Sequence, residues 1–489
     1  MRTTLTRLLT LPLAGALLFS GGSLASADTT ADRAQATTAM QWVAEQTSTA
    51  GMFSSVQDPD TGKDVPDYGL TLDAALGGTA AGLPPATVDA WLKAAAPEFR
   101  KHSGDSGMVA KTLVTLAATG KSTTSYGGLN PAALTRQAMG ANGHAAGANA
   151  FGQAFAMIGL ARTGSLPSNS VSFLAAQQCA NGAFPMYFGT DAATHCDGGR
   201  KSPDPDGTAM LVMALRAAEA KGVKAAAAPR AKAVSWLKAQ QRANGSFVGA
   251  MNSTPTENTN TTGLVAAALA DLEPAVVART GAWVRGLQLT SGPDAGAIAY
   301  DSATLQSAKG GTVSKLSRGR WIRSTSQGAF ALAPIDFYRL VPKFQRQAPY
   351  TLPGTHTING RQWKTSCEPY SRTERCRTEI MATVVKVEGG QFVRSDGWAF
   401  NNLTYLPYMT EAAWKGNPLA MDNMAGFTSG GRQWRTECHT AQTGRGACRS
   451  YTMTTVYAAA PKPAGGYTFS QKNEWVFNNI VMFGSPELR

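Results

Sequence analysis

Charged residues are scarce in this chain, at 16% of 489 positions, while hydrophobic residues make up 43%. That balance excludes a disordered chain and leaves enough apolar material for more than one core. Histidine is rarer still, with five residues, and the six cysteines contain no Cys-x-x-Cys pair. The usual donor sets of a structural zinc site are therefore missing. A Gly-rich dinucleotide fingerprint, a P-loop and a Gly-x-Ser-x-Gly elbow are also absent. No metal and no cofactor is expected, and nothing points to nucleic acid. Long apolar runs are lacking as well. The longest, Leu8 to Phe19, is interrupted by Pro12 and Gly15 and falls short of a bilayer. It follows Arg2 and Arg7 and precedes Ala25-Ser26-Ala27, the layout of a secretory leader over residues 1–27. A retained N-terminal anchor is the alternative. The mature protein is expected to be extracellular and not membrane-spanning.

The charge is unbalanced, with 45 Lys and Arg against 32 Asp and Glu. The net value is +13, which favours anionic wall polymers or lipids as contacts. Lys309, Lys315, Arg318, Arg320 and Arg323 fall in one Gly/Ser-rich stretch that reads as a solvated loop. The cysteines form three near-neighbour pairs, Cys179 with Cys196, Cys367 with Cys376 and Cys438 with Cys448. Spacing alone does not fix connectivity. Local pairing is the natural reading, because the last two pairs occupy equivalent places in a repeat.

Between residues 31 and 344 two kinds of helical segment alternate. Six amphipathic ones are expected at Ala34–Gln46, Pro85–Phe99, Pro131–Met139, Ser168–Gln178, Pro229–Gln241 and Pro274–Gln288. Six alanine-rich ones are expected at Gly69–Ala80, Gly107–Thr119, Phe151–Thr163, Gly207–Ala220, Thr261–Leu272 and Thr325–Leu340. A helix apolar on most sides belongs inside and a one-stripe helix outside. Six outer–inner pairs in series predict an α6/α6 toroid. Asp67, Asn149, Asp206 and Asn260 near the inner starts form a series of expected caps.

Two outer segments end alike, in Leu174-x-x-Gln177-Gln178-x-x-Asn181-Gly182-x-Phe184 and Leu237-x-x-Gln240-Gln241-x-x-Asn244-Gly245-x-Phe247. This signature resembles the prenyltransferase/squalene-cyclase repeat of terpenoid-cyclase-like toroids, with degraded copies at Thr47–Phe53 and Gln288–Gly296. The resemblance implies a fold more than a function, since such toroids serve cyclases, prenyltransferases, corrinoid carriers and complement-type modules. The Asp-x-Cys and later His of a prenyltransferase zinc site are missing, as is a Cys-Gly-Glu-Gln thioester stretch.

Inner helix starts ringing one mouth over an apolar well would suit an apolar or amphipathic ligand. Candidate ligand-binding residues are Tyr68, Phe151, Phe155, Tyr187, Met210, Asn260 and Tyr300. A Cys179–Cys196 bridge would hold Phe184, Tyr187 and Phe188 near the rim. Asp204-Pro205-Asp206-Gly207-Thr208-Ala209 resembles the Asp-x-Asp-Asp-Thr-Ala motif of class II terpene cyclases, which makes Asp206, with Asp204, the candidate catalytic pair. Gly207 departs from the motif where a further carboxylate stands, and helix capping explains Asp206 as well. A non-catalytic protein that binds such a ligand in the toroid and an extracellular or cell-wall surface through its C-terminal repeats is the favoured reading, with a cyclase-like enzyme or a protein-binding scaffold as alternatives. Acidic stretches at Asp58–Asp64 and Asp204–Gly207 lack a terminal Glu and read as turns rather than calcium loops.

After residue 344 the pattern changes to period-two alternation. Gly360-Arg-Gln-Trp363-Lys-Thr-Ser-Cys367 recurs as Gly431-Arg-Gln-Trp434-Arg-Thr-Glu-Cys438, and Trp398-Ala-Phe400-Asn-Asn402 as Trp475-Val-Phe477-Asn-Asn479. A linker at 345–358 and two small all-β units at 359–415 and 427–489 are expected, each with one disulfide. Their tryptophans read as core before ligand platforms.

Overall fold

A computed structural model describes residues 29–57, 61–189, 196, 198, 202–249 and 255–489. The expected leader and the acidic turn at 58–60 lie outside the described residues. The amphipathic segments form α1 (Thr29–Ala44), α3 (Pro85–Ala95), α5 (Pro131–Ala138), α7 (Asn169–Gln177), α9 (Ala227–Gln240) and α11 (Pro274–Arg285). The alanine-rich segments form α2 (Tyr68–Ala80), α4 (Ser106–Ala118), α6 (Ala150–Arg162), α8 (Pro205–Ala220), α10 (Thr259–Leu269) and α13 (Arg318–Leu332). A short α12 (Ser302–Ser307) and two small hairpins, β1–β2 (Ser54–Gln57, Asp64–Pro66) and β3–β4 (Val248–Gly249, Thr256–Glu257), decorate the longer connections. None of the described helices is long and apolar enough to cross a membrane.

The last inner helix corrects the sequence reading. It begins at Arg318, so Arg318, Arg320 and Arg323 belong to a helix whose Trp321 is fully buried, not to a solvated loop. It stops at Leu332 because Pro334 disfavours a helical conformation in the residue before it.

The alanine-rich helices touch in a closed cycle: α2 on α4, then α6, α8, α10 and α13, which packs back on α2. Glycines permit the close approach. A side chain at Gly77 or Gly263 would collide with the α13 backbone at Ser326 or Gln327. Outside this cycle, α1 packs on α13 and α2, α5 on α4 and α6, α9 on α8, and α11 on α10 and α13.

The repeated signature acts as a latch. Gln178 donates to the carbonyls of Gly182 and of Pro229 in α9, both at 2.8 Å. Gln241 does the same to Gly245 (3.1 Å) and to Val276 in α11 (2.9 Å). Gln288 repeats it with Gly296 (3.0 Å) and Gln35 in α1 (3.1 Å), joining the last outer helix to the first. Gly182 has a φ of 93°, and a β-carbon there would sit 2.7 Å from the Lys232 carbonyl oxygen, so only glycine fits. Asp294 reinforces the same closure, accepting from Trp42 Nε1 (2.9 Å), Val313 N (2.7 Å) and Arg318 (3.0 Å).

The remaining strands form one eight-stranded sheet rather than two separate modules. They are β5 (Gly354–Ile358), β6 (Arg361–Tyr370), β7 (Thr373–Glu388), β8 (Gln391–Tyr405), β9 (Asn423–Ser429), β10 (Arg432–Cys438), β11 (Ala447–Pro461) and β12 (Tyr467–Met482). The spatial order is β5-β6-β7-β8-β12-β11-β10-β9. Each half is antiparallel. The two join through three parallel pairs, Leu403–Asn479, Thr404–Ile480 and Tyr405–Val481. Strand β5 lies inside the stretch expected to be a linker. The disulfides are Cys179–Cys196, Cys367–Cys376 and Cys438–Cys448, the last two clipping directly opposed residues of adjacent strands.

Candidate functional site

Five inner helices start from a capping side chain. Asp67, Asp105, Asn149, Asp204 and Asn258 each accept from the backbone N–H three residues on, at 2.7 to 3.1 Å. Pro205 at the first helical position suits this, because its missing N–H would have no partner there. The expected cap series is therefore corrected: Asp204 and Asn258 cap, while Asp206 and Asn260 sit two residues further in.

Four residues past the cap, an inner side chain receives the N–H of the connection before it. Thr71 takes Phe53 (3.2 Å), Thr208 takes Phe184 (2.9 Å), Thr262 takes Phe247 (3.0 Å) and Thr325 takes Ile298 (2.9 Å). Gln153 takes Ala145 in the same way, at 2.8 Å. This bond sets the register of α13, which begins earlier than its siblings. By it, Arg323 occupies the place of Asp206 and Asn260.

Two layers of side chains follow. The upper comprises Gly69, Gly107, Phe151, Asp206, Asn260 and Arg323, and the lower Asp73, Lys111, Phe155, Met210, Leu264 and Gln327. Apart from the two glycines, every member lines one cavity of about 400 Å³. Tyr300 lies at its rim with the Arg320 guanidinium 4.3 Å above its ring. Leu76 of α2, Phe330 of α13 and Phe337, from the segment after α13, also line it. Phe337 stacks parallel to Phe155 at 6.0 Å and edge-on to Phe330 at 5.2 Å.

The cavity has two chemical halves. On α2, α4 and α13, Asp73 bonds Lys111 (2.7 Å) and Arg323 (3.0 Å), and Arg323 also reaches Asp67 (2.8 Å). Two cations thus meet two carboxylates, and that wall is internally neutral. On α6 and α8 the wall is apolar, formed by Phe151, Phe155 and Met210, with Asp206 as its one acid. Burial, and then the neighbouring Asp204, push the Asp206 carboxyl up to about 7, against a hydrogen bond from Thr261. Asp204 is itself raised by burial, although its bonds from the Gly207 and Asp206 backbone oppose the shift. Beside Asp206, the buried Oδ1 of Asn260 has no hydrogen-bond partner among the described residues. An unpaired buried acceptor in a cavity wall is suited to a ligand donor.

Of the residues singled out from sequence, Asp206, Phe151, Phe155, Met210, Asn260 and Tyr300 come together here. Tyr68 does not. It is buried against Phe99 and His102, with its hydroxyl 2.8 Å from that of Thr112. Tyr187 packs against the core and is not among the residues lining the cavity. Phe184 is fully buried and not at the rim, because its N–H is fixed by Thr208. Phe188 packs edge-on against Phe173 at 5.1 Å. Sequence reasoning missed Asp73, Lys111, Arg323 and Gln327. For Asp73 and Lys111 the available signal was a charge in an otherwise apolar alanine-rich helix; Arg323 stood in the basic stretch read as a loop, and the uncharged Gln327 carried no such signal. Among the described residues no cluster of three or more metal-ligating side chains occurs.

No family model and no curated protein matches the chain. Among solved structures, the apo type II terpene cyclase MstE from Scytonema aligns at a TM-score of 0.43 and 17% identity, over 62% of this chain and 98% of that one. A variant of that cyclase with geranylgeranyl dihydroxybenzoate, its substrate, aligns at 0.43 and 16%, over 62% and 97%. A GH127 beta-arabinofuranosidase aligns at 0.32 and 10%, over 92% and 89%. Scores this low leave the architecture to be argued from the contacts of the chain itself.

Proposed function

We propose that residues 31–344 form a terpenoid-cyclase-like α/α toroid of six helical pairs that holds an apolar or amphipathic ligand at its centre, in an exported protein. One observation carries the reading: equivalent positions of all but the two glycine-bearing places in the ring converge on a single cavity. The ligand's apolar body packs on Phe155, Met210, Leu264, Phe330 and Phe337. Its polar end meets Asn260 and Asp206, an acceptor and a carboxyl that is half protonated near neutrality. The neutralised Asp73–Lys111–Arg323 wall does not call for a charged head group. The leader and the disulfides support export.

A second reading has one feature in its favour, an acid placed over aromatic rings. A class II cyclase would use protonated Asp206 to protonate an alkene, with Phe151 and Phe155 facing the developing cation. Two facts weigh against it. Asp204 is committed to the α8 cap, and Gly207 supplies no carboxylate. A carboxyl raised to about 7 holds its proton too firmly to give it to an unactivated alkene.

Native mass spectrometry with solvent extraction of the exported protein tests the proposal. A small apolar molecule released on denaturation is expected at one per chain. Phe337→Trp, which fills the cavity floor, should lose that molecule while the protein stays folded. Clean apo protein from several growth conditions would count against tight binding. Turnover of a prenyl substrate abolished by Asp206→Asn would replace the binding reading with the catalytic one.

A further inference from the structure

The sheet carries a second site that owes nothing to the cavity. In the second half of the sheet, the Arg435 guanidinium lies over Trp475 at 4.9 Å and Tyr451 at 5.3 Å, and Arg449 lies over Phe477 at 5.5 Å. In the first half the equivalent residues repeat the arrangement. Lys364 stands over Trp398 at 5.9 Å and Arg377 over Phe400 at 4.7 Å. Strand alternation puts each ladder on the face away from its disulfide and buried threonines. In the first half the rings stay open to solvent, with Trp398 36% and Phe400 40% exposed.

The two ladders differ in their cations, Lys364 standing where Arg435 does, and in their acids, Glu437 opposing Arg449 where Ser366 opposes Arg377. Arg377 is paired with Glu379 at 3.5 Å, whereas Tyr451 takes the place of that glutamate in the second half. Arg435 and Arg449 make no ion pair among the described residues, and the buried Nε of each has no hydrogen-bond partner. Rings, rather than acids, hold these two guanidiniums in place. Glu437 stands across the strand pair from Arg449 but forms no ion pair with it among the described residues, and the rings fix both guanidiniums in a geometry that suits bidentate capture of an anion. Residues 345–489 contain 16 Lys and Arg against 10 Asp and Glu, so the surrounding field has the same sign.

We propose that this sheet binds an acidic polysaccharide, with Arg435 and Arg449 pairing its anionic groups and the adjoining rings stacking on its sugar faces. The Lys364–Arg377 ladder is the weaker copy and adds avidity. A glycan is favoured over a nucleic acid because three disulfides place the chain in an oxidising compartment, where surface polysaccharides are the polyanions at hand.

The test is calorimetric titration of the full-length protein with polygalacturonate oligomers, beside the same backbone with its carboxylates methyl-esterified. Binding of the acidic form alone, weakening steeply with added salt, is expected. Arg435→Gln/Arg449→Gln should lose about tenfold or more in affinity, and Lys364→Gln/Arg377→Gln about threefold. If the glutamine pair melts early, Arg435→Lys/Arg449→Lys keeps the charge and should retain part of the binding. No binding at low salt, equal binding of the ester, or indifference to the Arg435/Arg449 substitutions would overturn the proposal. So would equal or tighter binding of a DNA oligomer or of phosphatidylglycerol vesicles.

Discussion

Asp204 and Asp206 stand two residues apart and do different work. Asp204 closes the first turn of α8, so Asp204→Ala is expected to cost about 1–2 kcal/mol, while Asp204→Asn costs much less. Asp206 has the opposite sign. Its carboxyl titrates near 3.8 in the unfolded chain and about 7 when folded. Below about 3.8 both states are protonated and the group is neutral to stability. Between these values the folded state keeps a proton that the unfolded state has lost, so stability falls as pH rises. Above about 7 the full penalty of a buried charge remains. Asp206→Asn should therefore raise the melting temperature at pH 8 and leave it unchanged near pH 3.5. A scan in which the variant melts lower at both values would remove the buried-acid assignment. The sequence made this pair visible but misassigned it. Residue type says that Asp or Asn caps here, and the proline at 205 was the clue to which one. The unpaired Asn260 acceptor depends on packing and had no signal in the residue order.

At the level of elements, the alternation of helix types was legible because burial sets hydrophobic periodicity directly. Starts and ends fell within a few residues wherever a cap or proline marked them. The exception was α13, whose opening run of arginines and serines looks like a loop. Trp321, inside that run, was the contrary sign. Arg323 and Lys111 went unread for a related reason: their partners Asp67 and Asp73 are close only after the cycle closes. The Gln-Gln signature is legible in the residue order, but its cause lies in contacts between outer helices. Each second glutamine spans two outer helices with two hydrogen bonds. Removing one leaves two carbonyls without that donor. Gln288→Ala should thus destabilise by about 2 kcal/mol, near 1 kcal/mol per bond. Gln178→Ala and Gln241→Ala should behave alike by chemical denaturation. A Gln288→Ala variant as stable as wild type would mean that α1 and α11 are held together without the latch, by contacts such as those of Asp294.

For the whole molecule, the helical and β regions meet where the chain returns on itself. Residues 333–340 leave α13 and deliver Phe337 into the cavity. Arg162 donates to the Phe337 carbonyl at 3.0 Å, and Arg216 pairs with buried Asp336 at 3.2 Å. The far end of the chain secures the same segment. Arg339 bonds both Glu487 and Asp271, Lys343 donates to the Glu487 carbonyl at 2.9 Å, and Phe344 donates to Leu488 at 2.8 Å. The last four residues therefore tie the sheet to the floor of the helical cavity, a link between the two ends of the molecule that no local pattern in the sequence announces. Burial alone would raise the Glu487 carboxyl. Its bonds from Arg339 and the backbone hold it below the usual range instead. A truncation after Ser485 removes these contacts but leaves every strand intact. Amide exchange at residues 336–340 should then accelerate about tenfold, corresponding to a local loss near 1.4 kcal/mol, while α4 and α6 keep their protection. Unchanged exchange at 336–340 would show that Arg162 and Arg216 hold the floor unaided. Uniform acceleration throughout the helices would instead make the tail a requirement of global stability.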